Sequence, residues 1–193
     1  MYYYSLNEYL KNTFGEKVYK ISLDGGMTCP NRDGKIDTRG CIFCSRGGSG
    51  EFSADRNHSI TEQIREAKER IGRKTDCKKF IAYFQPFTNT YAPVEYLEKI
   101  FTEAIEPDEI VALSVATRPD CLPDKTVNLL SRLNKIKPVW VELGLQTVHK
   151  STADYIRRGY DLSVYDDEVK RLHKEGISVI THIIIGLPNE TED

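Results

Sequence analysis

Long apolar runs are missing from this sequence, and so is any surplus of charge. No apolar stretch approaches the roughly 18 residues that a membrane-crossing helix needs. Met1-Tyr2-Tyr3-Tyr4-Ser5 has neither the basic nor the apolar segment of a secretory leader, so a cytoplasmic location without membrane contact is expected. The 27 basic and 29 acidic side chains leave a formal charge of −2. That excludes a global positive field attracting nucleic acid, and any RNA contact must be local. There is no low-complexity tract. The cysteines number five, an odd count; in a reducing compartment such residues serve as metal ligands, catalytic groups or core filler more often than as disulfides. With 193 residues, 29% of them charged and 10% aromatic, the chain is long enough for one domain or slightly more and can bury a core without staples.

From about residue 59 two textures alternate, helix-period segments and short apolar runs, which is the pattern of βαβ units. Ser59-Ile60-Thr61-Glu62 opens a helix as a capping box, with Ile60, Ile64, Ala67 and Ile71 along one face and Gly72 as its stop. Lys79 to Gln85 follows as a strand, then a helix from Pro93 through Val94, Leu97, Phe101 and Ala104, then a strand from Ile110 to Ala116. A helix over Pro123 to Ile136, a strand over Val139 to Gln146, a helix over Ser163 to Glu175 and a strand over Ile177 to Leu187 complete the run. Val18 to Leu23 makes a fifth strand, and four of the five are expected to be parallel through right-handed crossovers. Residues 24 to 58 do not fit this rhythm. They are rich in glycine and predict one long loop, a feature that inside a compact domain is usually functional.

Strand parity carries a second message. Val139, Val141, Leu143 and Leu145 fall on one face; Trp140, Glu142, Gly144 and Gln146 fall on the other. Val111, Leu113 and Val115 oppose Ala112, Ser114 and Ala116, and Ser178, Ile180, His182 and Ile184 share the inward side. A packed barrel interior would be filled by Val, Ile and Leu. This one is too polar and too small for that. The fold class expected is α/β: a curved parallel sheet around a ligand cavity, with binding groups at the C-terminal strand ends.

Cys29, Cys41 and Cys44 lie in the long loop, spaced C-x11-C-x2-C. Soft sulfur ligands suit zinc or an iron–sulfur cluster, and three are one too few for a closed zinc site or a fully ligated 4Fe–4S cluster. A structural zinc would need a fourth ligand, and His58 is the only histidine near. A 4Fe–4S cluster would keep one iron open for a chelator. Three unligated cysteines are the bland alternative.

The uneven cysteine spacing with Phe43 between the close pair, followed by the (βα) repeat, resembles the radical S-adenosylmethionine (SAM) superfamily. Tyr83-Phe84-Gln85-Pro86-Phe87-Thr88 at a strand end, Ser114-Val115-Ala116-Thr117-Arg118-Pro119-Asp120, Glu142-Leu143-Gly144-Leu145-Gln146-Thr147, Arg157-Arg158-Gly159-Tyr160 and Gly186-Leu187-Pro188 follow in the order that superfamily keeps. Together with Ser22-Leu23-Asp24-Gly25-Gly26 and Cys29-Pro30-Asn31-Arg32-Asp33-Gly34, they look like the YhcC/YtqA-like group, kin to the Elongator catalytic subunit and the oxygen-independent coproporphyrinogen oxidase. The resemblance implies a partial radical SAM barrel over residues 1–193. The family core has six strands and this chain ends after the fifth, so a longer parent lacking here its C-terminal part is expected.

The resemblance also implies roles. Cys29, Cys41 and Cys44 would bind three irons of a 4Fe–4S cluster, with SAM on the fourth. Reductive cleavage, driven by a donor such as flavodoxin or ferredoxin, would give a 5′-deoxyadenosyl radical that abstracts hydrogen from the substrate. Phe43 would shield the cluster and pack on adenine, or merely fill a gap. Gln85 and Thr88 are candidates for the SAM amino end, with strand capping as their rival role. Gln146, and Arg158 twelve residues later, would hold ribose and carboxylate; Arg157 and a plain surface arginine are the competitors. Glu142 would touch SAM or pair with Arg118, and His182 would meet the ribose or sit as a satisfied strand histidine. No role is expected for Cys77 in its basic linker, and an auxiliary redox role is conceivable for Cys121. The Tyr2-Tyr3-Tyr4 run is expected to pack rather than stack on bases. Kinship to Elongator implies tRNA wobble uridine as substrate; a small-metabolite radical SAM enzyme and a non-catalytic zinc- or cluster-binding module are the alternatives.

Overall fold

The structure is a computed structural model describing residues 3–73 and 75–191. Strands β1 (Val18–Leu23), β2 (Lys79–Phe84), β3 (Ile110–Thr117), β4 (Val139–Gln146) and β5 (Ser178–Ile183) form one sheet in sequence order. All neighbouring pairs are parallel, so the first strand joins the expected four. Helices α2 (Ile60–Gly72), α3 (Val94–Ile105), α4 (Asp124–Asn134) and α6 (Leu162–Lys174) connect successive strands, and two unexpected helices, α1 (Leu6–Phe14) and α5 (Lys150–Tyr155), complete the set. β5 is shorter than expected: it stops at Ile183, and the chain turns at Gly186 (φ 85°) before Pro188.

The helices start where their sequences satisfy orphan backbone donors. Ser59 and Glu62 form the expected capping box, and Ser5 with Glu8 forms another at the start of α1, closed by Gly15 in the left-handed region. Phe80, Ala82 and Phe84 of β2, Leu113 and Val115 of β3, and Val139, Val141 and Leu143 of β4 turn outward to meet Leu97, Phe101, Leu130 and Leu172 from the helices in the main core. Cys77 packs against this core as well, half-buried rather than exposed, with its Sγ near the Lys17 and Lys79 carbonyl oxygens.

The inward face has its own apolar cluster. Val18, Ile81, Ala112 and Trp140, with Ile180 partly buried beside them, meet Leu10 of α1. One residue from each of five strands can share a cluster only if the sheet curls strongly, as in a barrel. α1 plugs the bottom of this partial barrel, with Tyr9 6.0 Å from the Trp140 ring. Tyr4 meets Tyr9 edge-on at 6.4 Å but stays exposed like Tyr3, so the expected packing of this run is partial; Tyr2 lies outside the described residues. One parity expectation fails. Phe80 pairs with Ile110 and Ile81 with Ala112, so Val111 is the extra residue of a bulge and packs with the inner cluster rather than beside Leu113 and Val115.

Trp140 is 4% exposed and joins the strands to α1. Trp140→Ala should therefore destabilise the fold by about 3–5 kcal/mol, read as a lowered urea midpoint; a loss under about 1 kcal/mol would mean that α1 does not close the floor.

Candidate cofactor site

Residues 24–58 contain neither helix nor strand, and the loop takes its shape from tertiary hydrogen bonds. Arg32 and Asp33 donate their N–H groups to the Cys29 carbonyl at 2.8 and 3.1 Å, and Cys44 N–H to the Cys41 carbonyl at 3.1 Å, which closes the tight turn between the paired cysteines. Arg32 Nη2 donates to the Cys44 carbonyl at 3.0 Å. Asn31, 1% exposed, donates through Nδ2 to Cys41 Sγ at 3.2 Å and to the Arg157 carbonyl at 2.7 Å. Gly159 is required beside it: φ is +84°, and an added Cβ would stand 2.9 Å from Asn31 Oδ1. Burial pushes the Cys41 thiol up, and the Asn31 bond offsets only part of that.

The three cysteines open on a cavity of about 220 Å³ at the C-terminal ends of the strands. All ten positions singled out from the sequence line it: Cys29, Phe43 and their loop neighbours Cys41 and Cys44 on one side, Gln85 and Thr88 after β2, Glu142 and Gln146 of β4, Arg158 after α5, and His182 of β5. A larger groove of about 640 Å³ runs past Pro30, Tyr91 and Cys121 but takes none of the ten. Burial, then the Asp120 charge, pushes the Cys121 thiol up to about 12, so it stays protonated and unreactive at neutral pH.

Side-chain contacts differ from the expected ones at several positions. Gln85 is spent within the chain, accepting from Ser22 Oγ at 2.6 Å and donating to the Ser49 carbonyl at 2.6 Å. Arg158 is 3% exposed; Nη1 donates to the Leu145 and Thr147 carbonyls at 2.8 and 2.6 Å, and Nε to the Tyr160 carbonyl at 3.1 Å. It braces the end of β4. Glu142 does not pair with Arg118, whose guanidinium is held by Asp120 at 2.8 Å. Its partners are Lys20, Ser114 and His182, the last at 2.7 Å. Burial alone would raise the Glu142 carboxyl, but the His182 and Lys20 contacts outweigh it and bring it down to about 2.

Two features suit a bound ligand. Thr88 Oγ1 is buried, lines the cavity and has no hydrogen-bond partner, a costly state that a ligand would relieve. Gln146 stands at the rim with φ +58°, a conformation seldom adopted by its residue type. Among the described residues no three His, Cys, Asp or Glu side chains close on one point as a single ion requires. His58 instead faces Glu66 at 3.0 Å. Three thiols around one cavity are a soft donor set of the kind that binds iron–sulfur groups.

Sequence reasoning missed Lys20 and Tyr160. Parity could have found Lys20, since it shares the inward face with Ser22 on β1. Tyr160 packs between Arg118 and Arg158, 4.9 and 4.8 Å from its ring centroid, and donates to the Gly144 carbonyl; nothing local in the sequence announces that.

A curled parallel (βα) sheet with a cysteine-lined cavity at its C-terminal edge defines the class of protein. The family model described as the Radical SAM superfamily matches residues 38–193, and the chain belongs to that superfamily; Cys41 and Cys44 fall inside the match and Cys29 precedes it. The chain is 50% identical over 191 residues to the uncharacterized protein YtqA of Bacillus subtilis (strain 168), covering 99% of this chain and 59% of that protein. It is 40% identical over 182 residues to protein YhcC of Escherichia coli (strain K12), covering 94% and 58%. It thus spans just under three-fifths of these relatives. A stretch of 78 residues, 40% of this chain and 14% of the other, is 31% identical to a tRNA uridine(34) acetyltransferase of Methanocaldococcus jannaschii. The solved structure of the archaeal Methanocaldococcus infernus Elp3 with an N-terminal deletion shares the fold, with a TM-score of 0.62 at 19% identity over 90% of this chain and 39% of that one.

Because the Glu142 carboxyl is lowered from 4.5 to about 2 in the folded chain, its contribution to stability is complete above 4.5 and is lost as pH falls through that window. The stability difference between wild type and Glu142→Gln, from urea midpoints at a series of pH values, should be largest at neutral pH and shrink below about pH 4.5. A difference independent of pH would mean that the carboxylate is not ionised in the fold.

Proposed function

We propose that this chain is the catalytic core of a radical SAM enzyme that holds a 4Fe–4S cluster through Cys29, Cys41 and Cys44, binds SAM beside it, and modifies the wobble uridine of tRNA. The observation that carries the enzyme reading is the gathering of three loop thiols and the unpaired Thr88 hydroxyl around one cavity. When bound, cluster and SAM supply the radical chemistry once an electron arrives from a donor such as flavodoxin or ferredoxin. The chain's own residues bind, orient and exclude. Asn31 and Arg32 hold the cysteine loop in shape. Phe43, at the cavity edge and 41% exposed, would cover the cluster side. Thr88 Oγ1 offers a hydrogen bond to the amino end of SAM, and Gln146 one to its ribose. Arg158 acts chiefly through the carbonyls of β4 that it braces, and its charge favours a carboxylate nearby.

The tRNA part draws support from the short likeness to a tRNA uridine(34) acetyltransferase. A net charge of −2 supplies no general attraction to RNA, and a small metabolite remains the second reading, favoured by a cavity of only about 220 Å³.

Anaerobic reconstitution followed by metal and sulfide analysis tests the core of the proposal. About four iron and four sulfide per chain are expected, with loss of the cluster on replacing any one of the three cysteines by Ala. One zinc and no sulfide would overturn it. Nucleoside mass spectrometry of tRNA from a strain lacking the gene separates the two substrate readings: a missing wobble-uridine modification supports tRNA, and an unchanged nucleoside profile removes it.

A further inference from the structure

Above the apolar floor, one layer of the barrel interior is polar, and each strand supplies a member: Lys20 of β1, Tyr83 of β2, Ser114 of β3, Glu142 of β4 and His182 of β5. Glu142 is the centre. Its side chain is 2% exposed; Oε1 accepts from Lys20 Nζ and Ser114 Oγ, and Oε2 contacts His182 Nε2 at 2.7 Å. Both oxygens are engaged inside the chain, which leaves Glu142 poorly placed for SAM. His182 differs, because its side chain is 47% exposed and lines the cavity.

Chemistry fixes the ring. An ionised carboxylate can only accept, so the 2.7 Å contact puts a hydrogen on Nε2 and, in the neutral imidazole, the lone pair on Nδ1. A buried carboxylate behind a half-exposed imidazole at a cavity wall is the arrangement of a general base with a stabilised cation. The other groups facing the pair are consistent with that. The Lys20 ammonium offsets the Glu142 charge and lies 4.4 Å over the Tyr83 ring, while burial and the Glu142 carboxylate hold the Tyr83 hydroxyl protonated.

We propose that His182 is a catalytic residue that accepts a proton from the substrate through Nδ1, oriented by Glu142, with Lys20 as a positioning residue. The proposal rests on the radical SAM reading and deepens its small-metabolite form, because it names the substrate class: a molecule with an O–H or N–H group at or next to the reacting carbon, which neither C–H carbon of a uridine base has. The proton passes from that heteroatom to Nδ1, the electron pair stays on the substrate, and the resulting imidazolium is stabilised by Glu142. The step itself consumes no oxidant or reductant.

Nitrogen-15 NMR of histidine-labelled chain at pH 8 reads the tautomer, with the His182 signal assigned by its absence from His182→Gln. A protonated Nε2 and an unprotonated Nδ1 are expected, with the bias lost in Glu142→Gln and weakened in Lys20→Met. An Nδ1–H tautomer, or the averaged pattern of a free histidine in wild type, overturns the proposal. On the reconstituted chain, carbethoxylation of His182 by diethyl pyrocarbonate, mapped by peptide mass spectrometry, should persist after SAM is added, since a group that faces the substrate stays open until the substrate arrives. Full protection by SAM would return His182 to the cofactor and overturn the assignment. SAM binding is measured separately by equilibrium dialysis. If wild type binds none, the function proposed above fails while the tautomer measurement still decides the dyad.

Discussion

A carboxylate with almost no solvent contact stays charged only if opposite charge and hydrogen bonds come to it. At Glu142 they come from β1, β3 and β5. Lys20 stands on the first strand of the sheet and Glu142 on the fourth, so their ion pair crosses the interior, a reach that a flat sheet would forbid because neighbouring strands lie about 4.8 Å apart. The pair and the apolar cluster beneath it thus impose the same curvature from two heights. Together they define the cavity: apolar and sealed by α1 below, polar and ionised at mid-height, open at the strand ends where the cysteines stand.

The cysteine loop depends on that frame. Long loops without regular structure lose more entropy on ordering than their own contacts return, so this one is tied at points where other elements already stand. Asn31 grips the Arg157 carbonyl, and Ile42 N–H reaches the Ile156 carbonyl at 3.2 Å. Ala54 N–H joins the Ser22 carbonyl at 3.1 Å at the other end of the loop. The anchor at 156–159 is itself set by Arg118, whose Nη1 donates to the Arg158 carbonyl at 2.9 Å. The arginines after β3 and α5 therefore act first as struts, and the thiol positions follow from them.

The alternation of periods made the sheet, its parallel strands and four helices legible, because apolar spacing reports directly on which face is buried. That the ten candidate positions gather around one cavity was legible for a different reason: they sit in short motifs in a fixed order along the chain. What escaped was nonlocal or mislaid. The Ser5–Glu8 capping box of α1 was present in the sequence and went unread, while α5 has no capping side chain to announce it. The Val111 bulge could not be seen, since an alternating run continues unbroken through it and only the partner strand reveals the extra residue. The expected Glu142–Arg118 pair failed because parity gives the face of a residue and not its neighbour across a curved sheet; Lys20 is 122 positions away in sequence.

Three non-glycine residues at the cavity rim, Ser49, Phe87 and Gln146, have left-handed backbones, with φ of 64°, 60° and 58°. Such conformations cost of order 1 kcal/mol or more each and persist where surrounding contacts over-determine them. Phe87 is held by its N–H bond to the Gly48 carbonyl at 3.0 Å, with its ring against Gly48 where a Cβ would stand 2.6 Å away and with the Arg32 and Arg56 guanidinium groups 5.8 and 5.7 Å from the ring centroid. Ser49 is fixed from both sides, by Ser45 Oγ at its N–H and Gln85 at its carbonyl. Gln146 carries the Ile184 N–H on its carbonyl at 3.0 Å, which joins the ends of β4 and β5 beyond the point where their ladder shifts register. The strain is therefore supported from the β1, β2 and β5 sides of the rim, while Thr88 Oγ1 alone among the lining side chains is left buried without a partner. A rim held stiffly in unfavourable conformations around one unsatisfied donor is what a site looks like when its shape is built for a ligand rather than for its own stability.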